Sequence, residues 1–301
     1  MNPVLLPPSE LPRARQLLSA PALARLLAQD GACRLIEVGC GTRAQFGAAH
    51  IPGACWLATA SFETPPLYNK VSDGALLALL LELGIDAAST VVLYGRSSLA
   101  AARAAHLMLY AGVRDVRLLD GGFDAWRAAG LPCARGEGVV PVPQQAFGAP
   151  FPGRPDYLLD TAATAALLAS EGTALASIRT WSEFTGATSG YCYIAARGEI
   201  AGASWGRAGA EGDVDSMSDY QLADGRMRPP EQIARMWAAG GIHPGLRVGF
   251  YCGTGWRASL AFFYAWLMGW ERIAVYDGGW FEWSSDPANP VVCRAAEPMR
   301  A

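Results

Sequence analysis

One block of this chain occurs twice. VVLYGRSSLAAARAAHLMLYAGVRDVRLLDGGFDAW runs from Val91 to Trp126, and VGFYCGTGWRASLAFFYAWLMGWERIAVYDGGWFEW runs from Val248 to Trp283. The two align without a gap at a constant shift of 157 residues, so that Tyr94 meets Tyr251, Gly112 meets Gly269, Asp120 meets Asp277 and Trp126 meets Trp283. Upstream, HIPGACW (His50–Trp56) matches EIAGASW (Glu199–Trp205) at a shift of 149, and CRLIEVG (Cys33–Gly39) matches TALASIR (Thr173–Arg179) at 140. Self-similarity on this scale dictates two copies of one structural unit, the second carrying insertions in its upstream half. A length of 301 residues fits that pair, at about 150 residues per domain. Between the copies, residues 132–155 are dense in proline and glycine and hold no helical pattern, which reads as a linker. The predicted domains are therefore 1–146 and 147–301.

Each copy alternates strands and helices. RLIEV and VVLY read as buried parallel strands, while LAAARAAHLMLYAG and ASLAFFYAWLMG read as helices ending at glycine. DVRLLDGG and RIAVYDGG read as a further strand running into a tight Gly-Gly turn. This alternation predicts α/β domains, each a parallel sheet flanked by helices. In such sheets ligands meet the loops at the carboxyl ends of strands.

A formal net charge of −3 gives no basic excess, so neither nucleic acid nor an anionic membrane is an expected partner. The start of the chain lacks the basic-then-apolar pattern of a signal peptide, and no unbroken apolar run reaches 18 residues. The expected location is the cytoplasm. Seven cysteines without a C-x-x-C pair, and three scattered histidines, predict neither a disulfide framework nor a structural metal, and no cofactor is expected.

Cys252 differs from the other six cysteines, for which burial as small apolar side chains is the expectation. It stands where a strand ends and a helix begins, followed by Gly253, Thr254, Gly255, Trp256 and Arg257. Two glycines let the backbone bend so that successive N–H groups face one point. The following helix adds its own free N–H groups, and Arg257 adds a permanent positive charge. Both features favour a thiolate, the nucleophilic form of cysteine. The loop is a cradle for a thiolate and for the anion that reacts with it.

The motifs HIPGA, EIAGA, LLDGGFDAW, VYDGGWFEW and CGTGWR, in this order and repeated, resemble the tandem-domain rhodaneses over about residues 16 to 290. That resemblance implies a sulfurtransferase of the thiosulfate or 3-mercaptopyruvate type, acting through a persulfide on Cys252, with a thiol or cyanide as acceptor. It assigns Cys252 and Arg257 to catalysis and the Gly253–Trp256 loop to holding the transferred sulfur. It implies a silent first domain, because Gly95 stands where Cys252 stands, and a site in the cleft between domains. Related phosphate-handling domains place five residues between cysteine and arginine. Here there are four, and the tighter loop resembles the sulfur-handling type. Cys-Gly-Thr-Gly resembles the loops that go with 3-mercaptopyruvate, whose carboxylate a bidentate arginine would hold. Arg179, at the arginine of the family's D-x-R pattern with Ser177 in place of the aspartate, and Arg197 are the candidates. A turn role is expected for His50, backbone hydrogen bonds for Asp120 and Asp277, and a place at the mouth of the site for Trp256. The alternatives are a sulfur relay loaded by a protein donor such as a cysteine desulfurase, a non-catalytic binding module, and a phosphatase-like activity.

Overall fold

The computed structural model describes residues 11–29 and 33–294. The first ten residues of the stretch read for a targeting signal lie outside them, as do the outer ends of both predicted domains.

The first copy contributes strands β1 (Leu17–Leu18), β2 (Arg34–Gly39), β3 (Cys55–Ala58), β4 (Glu63–Thr64), β5 (Asn69–Lys70), β6 (Thr90–Tyr94) and β7 (Asp115–Leu119). The second contributes β8 (Leu158–Leu159), β9 (Thr173–Ser177), β10 (Glu199–Ile200), β11 (Ser204–Trp205), β12 (Arg247–Tyr251), β13 (Ile273–Tyr276) and β14 (Val291–Val292). Five strands of each copy form an all-parallel sheet. The orders are β1-β7-β6-β2-β3 and, read from the matching end, β8-β13-β12-β9-β11. Every strand of the first sheet thus has its repeat partner at the same place in the second. The central strands β6 and β12 are almost wholly buried, as apolar runs without alternation require in a sheet covered on both faces.

The helix after each central strand explains how the copies associate. Helix Ser98–Ala111 follows β6 and helix Trp256–Leu267 follows β12. Leu99–Ala111 and Arg257–Leu267 are buried on every side, because the two helices pack against each other between the sheets. Phe262 of the second helix stands edge-on to His106 of the first, with ring centroids 4.8 Å apart. One apolar core therefore runs through both domains. The first helix closes on Gly112, whose φ of +101 is the left-handed cap that its sequence predicted.

The proline-rich segment is not a free tether. It runs as a strap along the first domain, with backbone bonds from Val139 to Ala54, Gln144 to Leu81 and Gly153 to Ala111. Asp120 and Asp277 accept backbone N–H groups as expected, but from the opposite domain: Met227 donates to Asp120 at 2.8 Å and Lys70 to Asp277 at 2.9 Å. His50 stacks on Phe46 with centroids 4.0 Å apart and bonds its carbonyl, a structural role in the turn. No helix among the described residues is long and apolar enough to cross a membrane.

Candidate active site

Cys252 directly follows β12 and Trp256 opens the 12-residue helix behind it, so the loop between them lies at the carboxyl edge of the sheet. The loop hangs on the Gly-Gly turn after β13. Trp280 N–H donates to the Cys252 carbonyl at 2.7 Å, and Phe281 N–H to the Gly253 carbonyl at 3.1 Å. Gly279, at φ +55, permits this approach: a Cβ there would stand 2.4 Å from the Gly253 oxygen and 2.8 Å from that of Cys252. Gly253 is equally constrained, since a Cβ would meet the Tyr191 ring at 2.2 Å. The Tyr191 hydroxyl accepts the Gly253 N–H at 2.9 Å. The N–H groups of Thr254, Gly255 and Trp256 donate to no protein acceptor among the described residues. Three N–H groups at a helix N-terminus are thereby left free to donate to an anion.

Arg257 is buried, and its guanidinium forks onto Glu183 at 2.9 and 2.8 Å while also donating to the Tyr191 hydroxyl. Burial works against its charge, yet its place beside Tyr191 and Glu183 holds it firmly protonated. Burial likewise works against the Glu183 carboxylate, but Arg257 and then Arg179 overcome it and leave this carboxyl below its usual range. Glu183 also closes a capping box with Thr180 on the short helix Trp181–Thr185. The carboxylate that fixes Arg257 is thus itself fixed by backbone.

Cys252 opens onto a cleft of about 650 Å³ between the domains. Thr254, Trp256 and Arg257 line it with Cys252, whereas Arg179 and Arg197 do not. Arg179 is fully buried, lies 5.0 Å over the Trp280 ring, bonds the Gly198 carbonyl at 2.7 Å and approaches Glu183 at 3.7 Å. The chain turns inward after β9 and carries this guanidinium behind the loop. Arg197 is exposed outside the cleft. The first domain supplies the opposite wall with Cys40, Thr59, Glu63 and Tyr68. Trp256 is half-buried at the mouth, and its indole N–H donates to Glu63 at 2.7 Å. Burial pushes the Glu63 carboxyl up, against the pull of Arg103 and Trp256. Arg103, fully buried, ties Glu63 at 3.1 Å and also Asp277 across the domain boundary. Sequence reasoning missed Glu183, Tyr191 and Glu63. Only Glu183 left a signal, the Thr-x-x-Glu spacing of a capping box at Thr180–Glu183.

At the matching place in the first domain, Phe123 N–H donates to the Gly95 carbonyl at 3.0 Å, and a Cβ on Gly122 would stand 2.5 Å from that oxygen. The loop architecture is duplicated but not its chemistry. Arg96 folds back onto Glu37 at 3.0 Å and the Ala49 carbonyl at 2.6 Å.

The chain is thus a tandem of α/β domains with a cysteine-bearing loop at the carboxyl edge of the second sheet. A model of the rhodanese-like domain matches residues 19–129 and again 160–286, and the chain belongs to that family. It is 51% identical over 261 residues to thiosulfate sulfurtransferase YnjE of Escherichia coli (strain K12), covering 87% of this chain and 60% of that protein. The chain thus spans less than two thirds of that relative. The crystal structure of YnjE superposes with a TM-score of 0.90 over 94% of this chain and 69% of that one, at 47% identity. A probable 3-mercaptopyruvate sulfurtransferase of Pseudomonas aeruginosa is 34% identical over 297 residues, covering 94% of this chain and 98% of that one. The anaerobic ergothioneine biosynthesis enzyme of Chlorobium limicola, solved with its natural substrate trimethyl histidine, superposes with a TM-score of 0.89 at 38% identity, over 94% of this chain and 71% of that one.

Proposed function

We propose that this chain is a sulfurtransferase that carries a sulfane sulfur as a persulfide on Cys252. The observation that carries the reading is the placing of Cys252 beside three free loop N–H groups, with the buried Glu183–Arg257 pair behind and the interdomain cleft in front. The Cys252 thiolate attacks the outer sulfur of thiosulfate. The donor's S–S bond breaks, and sulfite leaves with the electron pair. With 3-mercaptopyruvate the C–S bond breaks instead, and pyruvate leaves as its enolate and takes a proton. In both cases the terminal persulfide sulfur bears the negative charge, which the N–H groups of Thr254, Gly255 and Trp256 stabilise in place. A thiol or cyanide then attacks that sulfur, and the Cys252 thiolate is the leaving group. Arg257 supplies fixed positive charge behind the loop and is held there by Glu183 and Tyr191.

The names of the curated relatives support both donors. Since neither Arg179 nor Arg197 lines the cleft, a donor's anionic group is left to the loop itself. The neighbour that holds trimethyl histidine supports a small-molecule acceptor reaching the loop through this cleft. The first domain contributes a wall, and its own loop, with Gly95 and an inward-tied Arg96, carries no cysteine. Seven free cysteines support a reducing, cytoplasmic setting. Steady-state assays of thiocyanate formation from cyanide test the reading. Turnover with thiosulfate or 3-mercaptopyruvate, abolished in Cys252→Ser, supports it. Absence of turnover with both, alongside sulfur loading by a cysteine desulfurase, replaces it with the protein-relay reading.

A further inference from the structure

The cleft in front of Cys252 has an unusual charge balance for a protein thought to handle anions. Among the described residues that line it, Arg257 is the only cation, and that guanidinium is committed to Glu183. Three carboxylates face it: Glu63, tied to Arg103 and Trp256, and Asp213 and Asp215, which are exposed on the rim. No ion pair among the described residues engages Asp213 or Asp215. The remaining wall is aromatic. Tyr68 reaches in from the first domain and stands edge-on to Tyr193 of the second, with ring centroids 5.7 Å apart at 63°. Tyr193 in turn lies 5.5 Å from Tyr191, whose hydroxyl holds the cysteine loop.

Two features mark this pair as more than packing. Tyr68 and Tyr193 are 36% and 46% exposed, so neither ring is there to fill a core. Tyr68 also holds φ at +61, a left-handed conformation that a bulky residue adopts only when its surroundings impose it, and such strain gathers at ligand-binding positions. Partly exposed tyrosine rings and carboxylates without ion pairs, lining one cleft, attract an organic cation through the ring quadrupole and through charge. They disfavour an anion. The loop N–H groups serve the anionic sulfur, and the outer cleft is built for the opposite charge.

We propose that the outer cleft, between Tyr68, Tyr193 and the Asp213–Asp215 rim, is a subsite for the organic ammonium group of a small-molecule sulfur acceptor. This rests on the sulfur-transfer reading for the word acceptor, but binding of the cation does not. The test is calorimetric titration of the full chain, and of Cys252→Ser, with choline and with neohexyl alcohol, its uncharged carbon isostere. Choline is expected to bind at least about ten-fold more tightly than the alcohol in both proteins. Tyr193→Ala is expected to weaken choline roughly ten-fold and Tyr193→Phe to leave it nearly unchanged, since the ring supplies the attraction. Equal affinity for the two probes, or choline binding untouched by Tyr193→Ala, overturns the subsite even where Cys252 loads sulfur. A protein that prefers choline yet never forms a persulfide keeps the cation subsite and loses the transfer reading.

Discussion

Replacing Glu183 with glutamine leaves the Arg257 guanidinium buried without its counter-charge. The native carboxylate is 1% exposed, accepts two hydrogen bonds from that guanidinium at 2.9 and 2.8 Å, and takes a third from Thr180 N–H at 2.9 Å. Breaking one side of a buried pair costs about 3–5 kcal/mol. For a domain of this size that lowers the unfolding midpoint by roughly 10 °C at pH 7. The penalty has a pH signature. Arg257 holds the folded-state Glu183 carboxyl below its usual value, so its stabilisation is complete above about pH 4.3 and is lost as the pH falls through the depressed folded value. The gap between the native protein and Glu183→Gln should therefore be full at neutral pH and should narrow below about pH 4. Thermal unfolding followed by tryptophan fluorescence across that range measures it. Glu183→Gln combined with Arg257→Met should recover much of the lost stability, because no buried charge then stands alone. It should not recover sulfur loading. A single variant that melts within about 2 °C of the native protein at pH 7 would refute the claim that Glu183 fixes Arg257.

Other substitutions probe neighbouring parts of the account. Gly279→Ala drives a Cβ to 2.4 Å from the Gly253 carbonyl and should cost about 1–3 kcal/mol while abolishing sulfur loading. Gly122→Ala makes the same clash at 2.5 Å in the first domain and should destabilise similarly but still load sulfur, so parallel melting and mass measurements separate the two loops. Glu199 is buried, which pushes its carboxyl up to about 8 against the pull of Arg294, Arg179 and Tyr251. Its contribution is full below the ordinary carboxylate range, about pH 4.3, and is lost as the pH rises towards 8, so Glu199→Gln should match the native protein at about pH 4 and exceed its stability at pH 8 in urea titrations. Arg103→Met removes the shared partner of Glu63 and Asp277 and should cost about 3–5 kcal/mol, visible as a lower midpoint in the same titrations.

The repeat made most of the fold readable. A gapless match between residues 91–126 and 248–283 forces the same strand–loop–helix–strand order twice, and the two sheets carry it in the same spatial order. The cysteine loop was legible because its chemistry is local: backbone N–H groups, two glycines and a helix start lie within six residues. What the loop leans on was not. Glu183 reaches Arg257 across 74 positions, and Glu63 reaches Trp256 across 193, and no pattern in either segment announces the contact. Arg179 shows the reverse failure. Its place just after β9 suggests a ligand-facing side chain, but the chain turns it inward over Trp280, where the buried ring and the Gly198 carbonyl accept it.

Intact-mass spectrometry of the purified protein tests the central claim most directly. After mixing with thiosulfate or 3-mercaptopyruvate, the account predicts a gain of one sulfur, about 32 Da, that cyanide removes and that Cys252→Ser never acquires. No gain with either donor, or a gain that persists in Cys252→Ser, would contradict it.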